Sequence, residues 1–121
     1  MSKLILHLDD EPAIRDILAA HLTQEGYRVI SVASPAAALN AVTQNRPDLV
    51  ISDLHLDEGD GLEIITQLRA QFPDIPIIML TSVLVDPRIA KQSVAREVDV
   101  FLQKSTTLSN ILGEVRRLTG T

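Results

Sequence analysis

Leu4-Ile5-Leu6-His7-Leu8 runs unbroken into Asp9-Asp10-Glu11-Pro12, and this junction decides the fold. A short apolar run without alternation is the pattern of a strand covered on both faces. The same junction recurs three times. Leu49-Val50-Ile51-Ser52 runs into Asp53, Ile77-Ile78-Met79-Leu80 into Thr81-Ser82, and Val100-Phe101-Leu102-Gln103 into Lys104. Parallel strands place such ends along one sheet edge, outside which ligands of open α/β sheets bind. Asp9, Asp10, Asp53, Thr81 and Lys104 are therefore expected to converge on one small pocket. That pocket would hold a divalent cation beside a carboxylate that can be phosphorylated.

Helical patterns lie between the runs. In the first, Ile14, Ile17, Leu18 and Leu22 fall at helical spacing. Gly26 ends it, and Tyr27 to Val32 reads as the second strand, whose alternation suits a sheet edge. Ser34-Pro35 is an N-cap followed by proline at the first helical position, and this second helix runs to about Asn45. The third helix is expected to bury Leu62, Ile65, Leu68 and Phe72. A fourth opens at Pro87 with a weak apolar face of Ile89, Val94 and Val98. The fifth carries Leu108, Ile111, Leu112, Val115 and Leu118. Helices between parallel strands supply right-handed crossovers, so the expectation is a five-stranded parallel sheet covered by five helices.

The 121 residues make one domain, with a real core. Absence of cysteine excludes a disulfide framework and thiolate metal sites. No apolar run suits a signal peptide or membrane span, so a cytoplasmic protein without membrane contact is expected. A net charge of −5 argues against nucleic-acid binding by this domain alone. Asp53, Asp57, Glu58, Asp60 and Glu63 crowd into eleven positions. The three histidines, His7, His21 and His55, have no ligand-pair spacing.

With Asp9-Asp10, Asp53, Thr81 and Lys104 each at a strand end, the chain resembles, over essentially its whole length, the receiver domain of two-component response regulators. The resemblance implies a flavodoxin-like (βα)5 three-layer sandwich, with strand order 2-1-3-4-5. It implies phosphorylation of Asp53 by a histidine kinase or histidine phosphotransfer protein, with Mg2+ (or Mn2+) as cofactor. Asp10 and Asp53 would ligate the ion directly, Asp9 directly or through water, and His55 by its backbone carbonyl. Lys104 and the Thr81 hydroxyl would contact the phosphoryl group. Ser82 is small and leaves the approach open. His55 and Val83 stand where the family tunes phosphoryl lifetime. Thr81 and Phe101 match the switch positions, with the face of the fourth helix, fifth strand and fifth helix controlling a downstream protein or output domain. Ile14 to Leu18 match the docking face for donor helices, and dimerisation on phosphorylation is a family habit.

The chemistry asks for these residue types independently of the family. A carboxylate attacks a dianionic phosphoryl group against like-charge repulsion. A cation held by hard oxygens offsets it, and a lysine adds a point charge on a flexible stem. Packed carboxylates are also expected to raise one another's pKa.

Four departures from the family bear on the reading. Ser105 follows Lys104 where the family usually has a cis proline, so either that peptide is trans and the loop rerouted, or it is cis at a cost of roughly 3 kcal/mol. Asp57 replaces a common proline and, with Glu58 and Asp60, adds charge expected to strengthen cation binding. Glu97-Val98 replaces the usual Gly-Ala, which leaves the partner of the fourth helix open. Phe101 lacks a phenolic hydroxyl, so any switch there would work by packing.

Two other readings compete. One is a receiver-like interaction module that never carries phosphate. The other is an aspartyl phosphohydrolase, which would need an acid where His55 stands and an insertion to hold substrate. The expected entity is a single receiver domain without an output domain, catalysing only its own phosphorylation and dephosphorylation.

Overall fold

The computed structural model describes residues 2–53, 55–56, 59–81 and 98–120. The elements are β1 (Leu4–Leu8), α1 (Pro12–Gln24), β2 (Arg28–Val32), α2 (Pro35–Gln44), β3 (Leu49–Asp53), the short β4 (His55–Leu56) and β5 (Gly59–Asp60), α3 (Gly61–Gln71), β6 (Ile77–Thr81), β7 (Val100–Gln103) and α4 (Leu108–Thr119). β2-β1-β3-β6-β7 form a parallel sheet, and β4 pairs antiparallel with β5. The main sheet has the expected order 2-1-3-4-5, with β2 at an edge.

Every residue of β1, β3 and β6 is buried. On one side of the sheet, Leu6, Leu8, Val50, Ile77 and Met79 pack with Ala38, Val42, Ile64, Ile65 and Leu68 from α2 and α3. On the other, Ile5, Leu49, Ile51, Ile78 and Leu80 pack with Leu18 and Leu22 of α1 and Ile111 and Val115 of α4. A fully buried aliphatic side chain contributes about 1.5–3 kcal/mol, so these two layers dominate the fold's stability.

Local signals set most boundaries. The Ser34 hydroxyl accepts the Ala37 N–H at 3.2 Å, capping α2. Gly26 takes φ +96° after α1, a conformation costly for residues with a Cβ. Two aspartates lock strand starts at the opposite end from the pocket. Asp48 accepts the Leu4 N–H at 2.8 Å, and Asp99 accepts the Ile77 N–H at 2.7 Å and holds Arg69 at 3.1 Å.

Several sequence expectations need correction. Tyr27 precedes β2 rather than opening it, because its N–H returns to the Leu22 carbonyl at 3.1 Å and closes the α1 turn. The helical spacing of α1 did not say which residues face the sheet: Leu18 and Leu22 do, and Ile17 is 57% exposed. α3 buries Ile64 beside Ile65 and Leu68, while Phe72 lies past its end and is only partly buried. The helix expected from Pro87 lies, except for Val98, outside the described residues, and so do Asp57, Glu58 and the side chain of Leu62. Four α-helices occur among the described residues.

Candidate functional site

Register brings the site together. Leu8 pairs with Ser52, Asp53 with Leu80, and Thr81 with Gln103. Asp9 therefore lies one step beyond the pair that precedes Asp53, and Lys104 one step beyond the pair containing Thr81. The Lys104 N–H donates to the Thr81 carbonyl at 2.7 Å, extending the β6–β7 ladder into the loop. The described peptide bonds include no cis bond, so Lys104-Ser105 is trans, and the serine does not keep Lys104 out of the pocket.

The Lys104 Nζ lies 2.7 Å from Asp53 Oδ2, 2.8 Å from Glu11 Oε1 and 3.1 Å from Asp9 Oδ2. An ammonium has three donors, and three carboxylates surround this one. The Lys104 side chain is 8% exposed, Asp53 4% and Asp9 1%, whereas Glu11 is 56% exposed. The other Asp9 oxygen, Oδ1, accepts the Glu11 N–H at 2.9 Å. The Arg15 guanidinium donates to the Asp9 carbonyl at 2.7 Å, tying the turn to α1.

Asp9, Asp10, Glu11 and Asp53 each offer a carboxylate oxygen, all within 4.8 Å of one another. Hard oxygens from several carboxylates at this spacing fit a small divalent cation. Burial raises the Asp9 pKa, the Asp53 charge adds to this, and the Glu11 N–H and Lys104 draw it back. Burial thus outweighs the mutual repulsion expected from sequence. Burial alone would lower the Lys104 pKa, but bonds to Asp53, Glu11 and Asp9 more than reverse this and raise it.

Asp9, Asp53 and Thr81 are buried, and Asp10 is partly buried. Phe101 is partly buried against the core layer of α2 and α3. His55 lies in β4, while its side chain, Ser82 and Val83 lie outside the described residues. Beside the pocket, Ile14, Ile17, Leu18, Leu108 and Ile111 line an apolar groove between α1 and α4 that reaches Lys104.

Sequence reasoning missed two residues. Glu11 was read only as part of an acidic run before a helix. Its signal was local, because glutamate is not among the residues favoured at an N-cap. His7 is wholly buried on β1, and among the described residues neither ring nitrogen has a hydrogen-bond partner. Burial, with help from Lys104 and Arg15, lowers its pKa from 6.5 to about 4.

The neutral imidazole is therefore the folded form. Above pH 6.5 both states are neutral and nothing is lost. Below it the unfolded chain takes a proton that the folded one refuses, until about pH 4. Compared with His7→Leu, the wild type should lose about 2 kcal/mol between pH 7.5 and 5, and about 3 kcal/mol by pH 4. Asp9, with its raised pKa, acts in the opposite direction in both proteins and cancels in the comparison. Urea unfolding with a metal chelator present measures this, and parallel pH curves would refute it.

A parallel sheet of this order with acids and a lysine at its carboxyl edge has its pocket where open α/β domains bind ligands. A family model described as the response regulator receiver domain matches residues 5–116, and the chain belongs to this family. The response regulator MprA of Mycobacterium sp. (strain KMS) is 35% identical over 121 residues, covering 94% of this chain and 49% of that protein. The chain spans about half the length of MprA and still less of some other curated relatives. A CheY-like response regulator receiver domain protein from Methanospirillum hungatei JF-1 shares the fold, with a TM-score of 0.91 at 23% identity, covering 99% of this chain and 95% of that one. The response regulator TrrA of Thermotoga maritima, solved in complex with Mg2+-BeF, has a TM-score of 0.84 at 31% identity, covering 96% of this chain and 98% of that one. The chain is thus a receiver domain of a two-component signalling system.

Proposed function

We propose that this domain is a phosphorylation-activated switch whose acceptor is Asp53. The observation that carries the reading is the 2.7 Å contact of Lys104 with Asp53 inside a cluster of carboxylates. Asp9, Asp10 and Asp53, with the His55 backbone carbonyl, would hold Mg2+ or Mn2+. When bound, that ion neutralises charge between the carboxylate and the phosphoryl group.

In the reaction, one Asp53 oxygen forms a bond to phosphorus as the P–N bond of a phosphohistidine breaks. The imidazole nitrogen keeps the bonding pair, and the product is an acyl phosphate. Lys104 holds Asp53 beforehand and donates to a phosphoryl oxygen afterward. The Thr81 hydroxyl takes another phosphoryl oxygen. Addition of water to phosphorus later releases phosphate and restores the carboxylate, with His55 and Val83 tuning that rate.

The donor would be a histidine kinase or phosphotransfer protein in the cytoplasm. The apolar groove with exposed Ile17 suits its helix, because it opens beside Lys104. Readout would pass through Thr81 and Phe101 to the face made by the fourth helix expected from Pro87, β7 and α4. There it would control a downstream protein or output domain, or pair two phosphorylated copies.

Beryllofluoride, a phosphoryl mimic, tests the reading. Binding that requires Mg2+ and shifts the amide signals of Thr81 and Lys104 is expected. If Mg2+ and beryllofluoride together leave those signals unmoved, the domain is instead an interaction module that never carries phosphate.

A further inference from the structure

We propose that Glu11 is a positioning residue for the phosphoryl-transfer reaction, holding the Lys104 ammonium over Asp53. The inference rests on the reading of Asp53 as phosphoacceptor and deepens it.

Glu11 is the N-cap of α1, yet its side chain makes no capping hydrogen bond. An N-cap side chain ordinarily accepts an N–H two or three residues on. Here the carboxylate instead reaches Lys104 Nζ at 2.8 Å, across 93 positions of sequence. Its backbone is fixed for this reach, because the Glu11 N–H donates to Asp9 Oδ1 at 2.9 Å. Asp9 in turn accepts from Lys104 Nζ through Oδ1 at 3.4 Å, with Oδ2 in ion-pair contact at 3.1 Å. Lys104, Asp9 and Glu11 thus form a closed ring of polar contacts, and the ring leaves the shortest Lys104 contact for Asp53.

A lysine has a long flexible stem, and reaction from a single geometry requires that its rotamers be restricted beforehand. The ring restricts them. Glu11 does not compete with Asp53 for a proton, since the ammonium has one for each neighbour. Transfer to Asp53 asks only that one donor move from a carboxylate oxygen to a phosphoryl oxygen nearby. The contacts to Glu11 and Asp9 are compatible with both states. Glu11 remains half in solvent, so its contribution is modest, and it differs in this from the buried Asp9 and Asp53.

Reach and charge are separated by three substitutions. Glu11→Gln keeps an acceptor at the same reach without charge. Glu11→Asp keeps the charge but is one methylene short. Glu11→Ala keeps neither. At saturating Mg2+ and acetyl phosphate, Glu11→Ala and Glu11→Asp should both slow phosphorylation about three- to fivefold, and Glu11→Gln should be closest to wild type. In a Lys104→Met background the three substitutions should have no further effect on rate.

A second readout needs no phosphorylation. Exchange of the Lys104 ammonium protons with water, followed by NMR in metal-free protein, should speed up about threefold or more in Glu11→Ala and Glu11→Asp, but not in Glu11→Gln. Wild-type rate and exchange in Glu11→Asp, with loss in Glu11→Gln, would overturn the proposal in favour of bulk charge. Equal behaviour of all variants in the exchange measurement would overturn it outright. A wild-type protein that takes no phosphoryl group would defeat the acceptor reading, while ammonium exchange still decides whether Glu11 holds Lys104.

Discussion

Asp53→Asn is expected to abolish the single phosphoryl adduct that the wild type gains from acetyl phosphate and Mg2+. An amide oxygen is a far weaker nucleophile than a carboxylate, and its phosphorylated form would have no stable acyl phosphate to accumulate. Intact-mass spectrometry reads this directly, and the wild-type adduct should also vanish when Mg2+ is chelated. The loss should exceed about 100-fold, the scale for removing a group that acts directly on the reacting centre. Asp53 is buried and bonded to Lys104, so the test needs a folding control. The asparagine keeps nearly the same shape and an oxygen for Lys104, and circular dichroism should be unchanged. An adduct of equal yield in the variant would show that another residue takes the phosphoryl group, with Asp9, Asp10 and Glu11 as the candidates.

Lys104→Met should slow phosphorylation of Asp53 by about 100-fold, because it removes the fixed positive charge aimed at the phosphoryl oxygens. It should also cost stability. Asp9 and Asp53 are almost fully buried, and Lys104 holds both. Removing the cation takes the positive charge away from two buried carboxylates, for about 2 kcal/mol in metal-free protein. The two effects respond differently to Mg2+. A divalent cation replaces the missing charge, so thermal denaturation should show Mg2+ stabilising Lys104→Met more than it stabilises the wild type. The rate defect should persist at saturating Mg2+. Recovery of both together would mean that Lys104 serves only as a counter-ion.

Much of this was legible in the chain. Strands buried on both faces show as unbroken apolar runs, and each such run here is a strand of the main sheet. Ser34-Pro35 and Gly26 marked helix ends through chemistry acting within a few residues. What the pattern left open lay where a residue's place depends on two elements at once. Ile17 fits the helical period of α1, but the sheet lies under Leu18 and Leu22, so Ile17 faces outward at the rim of a groove made jointly with α4. Ile64 escaped notice because α3 is pressed against both the sheet and α2, which widens its buried face.

The same division runs through the site. Asp9, Asp53, Thr81 and Lys104 were found because each ends an apolar run, and the parallel sheet aligns such ends by its hydrogen-bond geometry alone. Their residue types, the strand boundaries and the likeness to receiver domains belong to the sequence by itself. Only the tertiary structure decided that Glu11 spends its carboxylate on Lys104 rather than on its own helix, and that burial contributes more than repulsion to the raised Asp9 pKa. It alone placed His7 in the core, without a hydrogen-bond partner among the described residues. The physical reason is common to all three. Local pattern records which backbone conformation a segment prefers, whereas the partner of a side chain and its loss of solvent depend on what the rest of the chain packs against it.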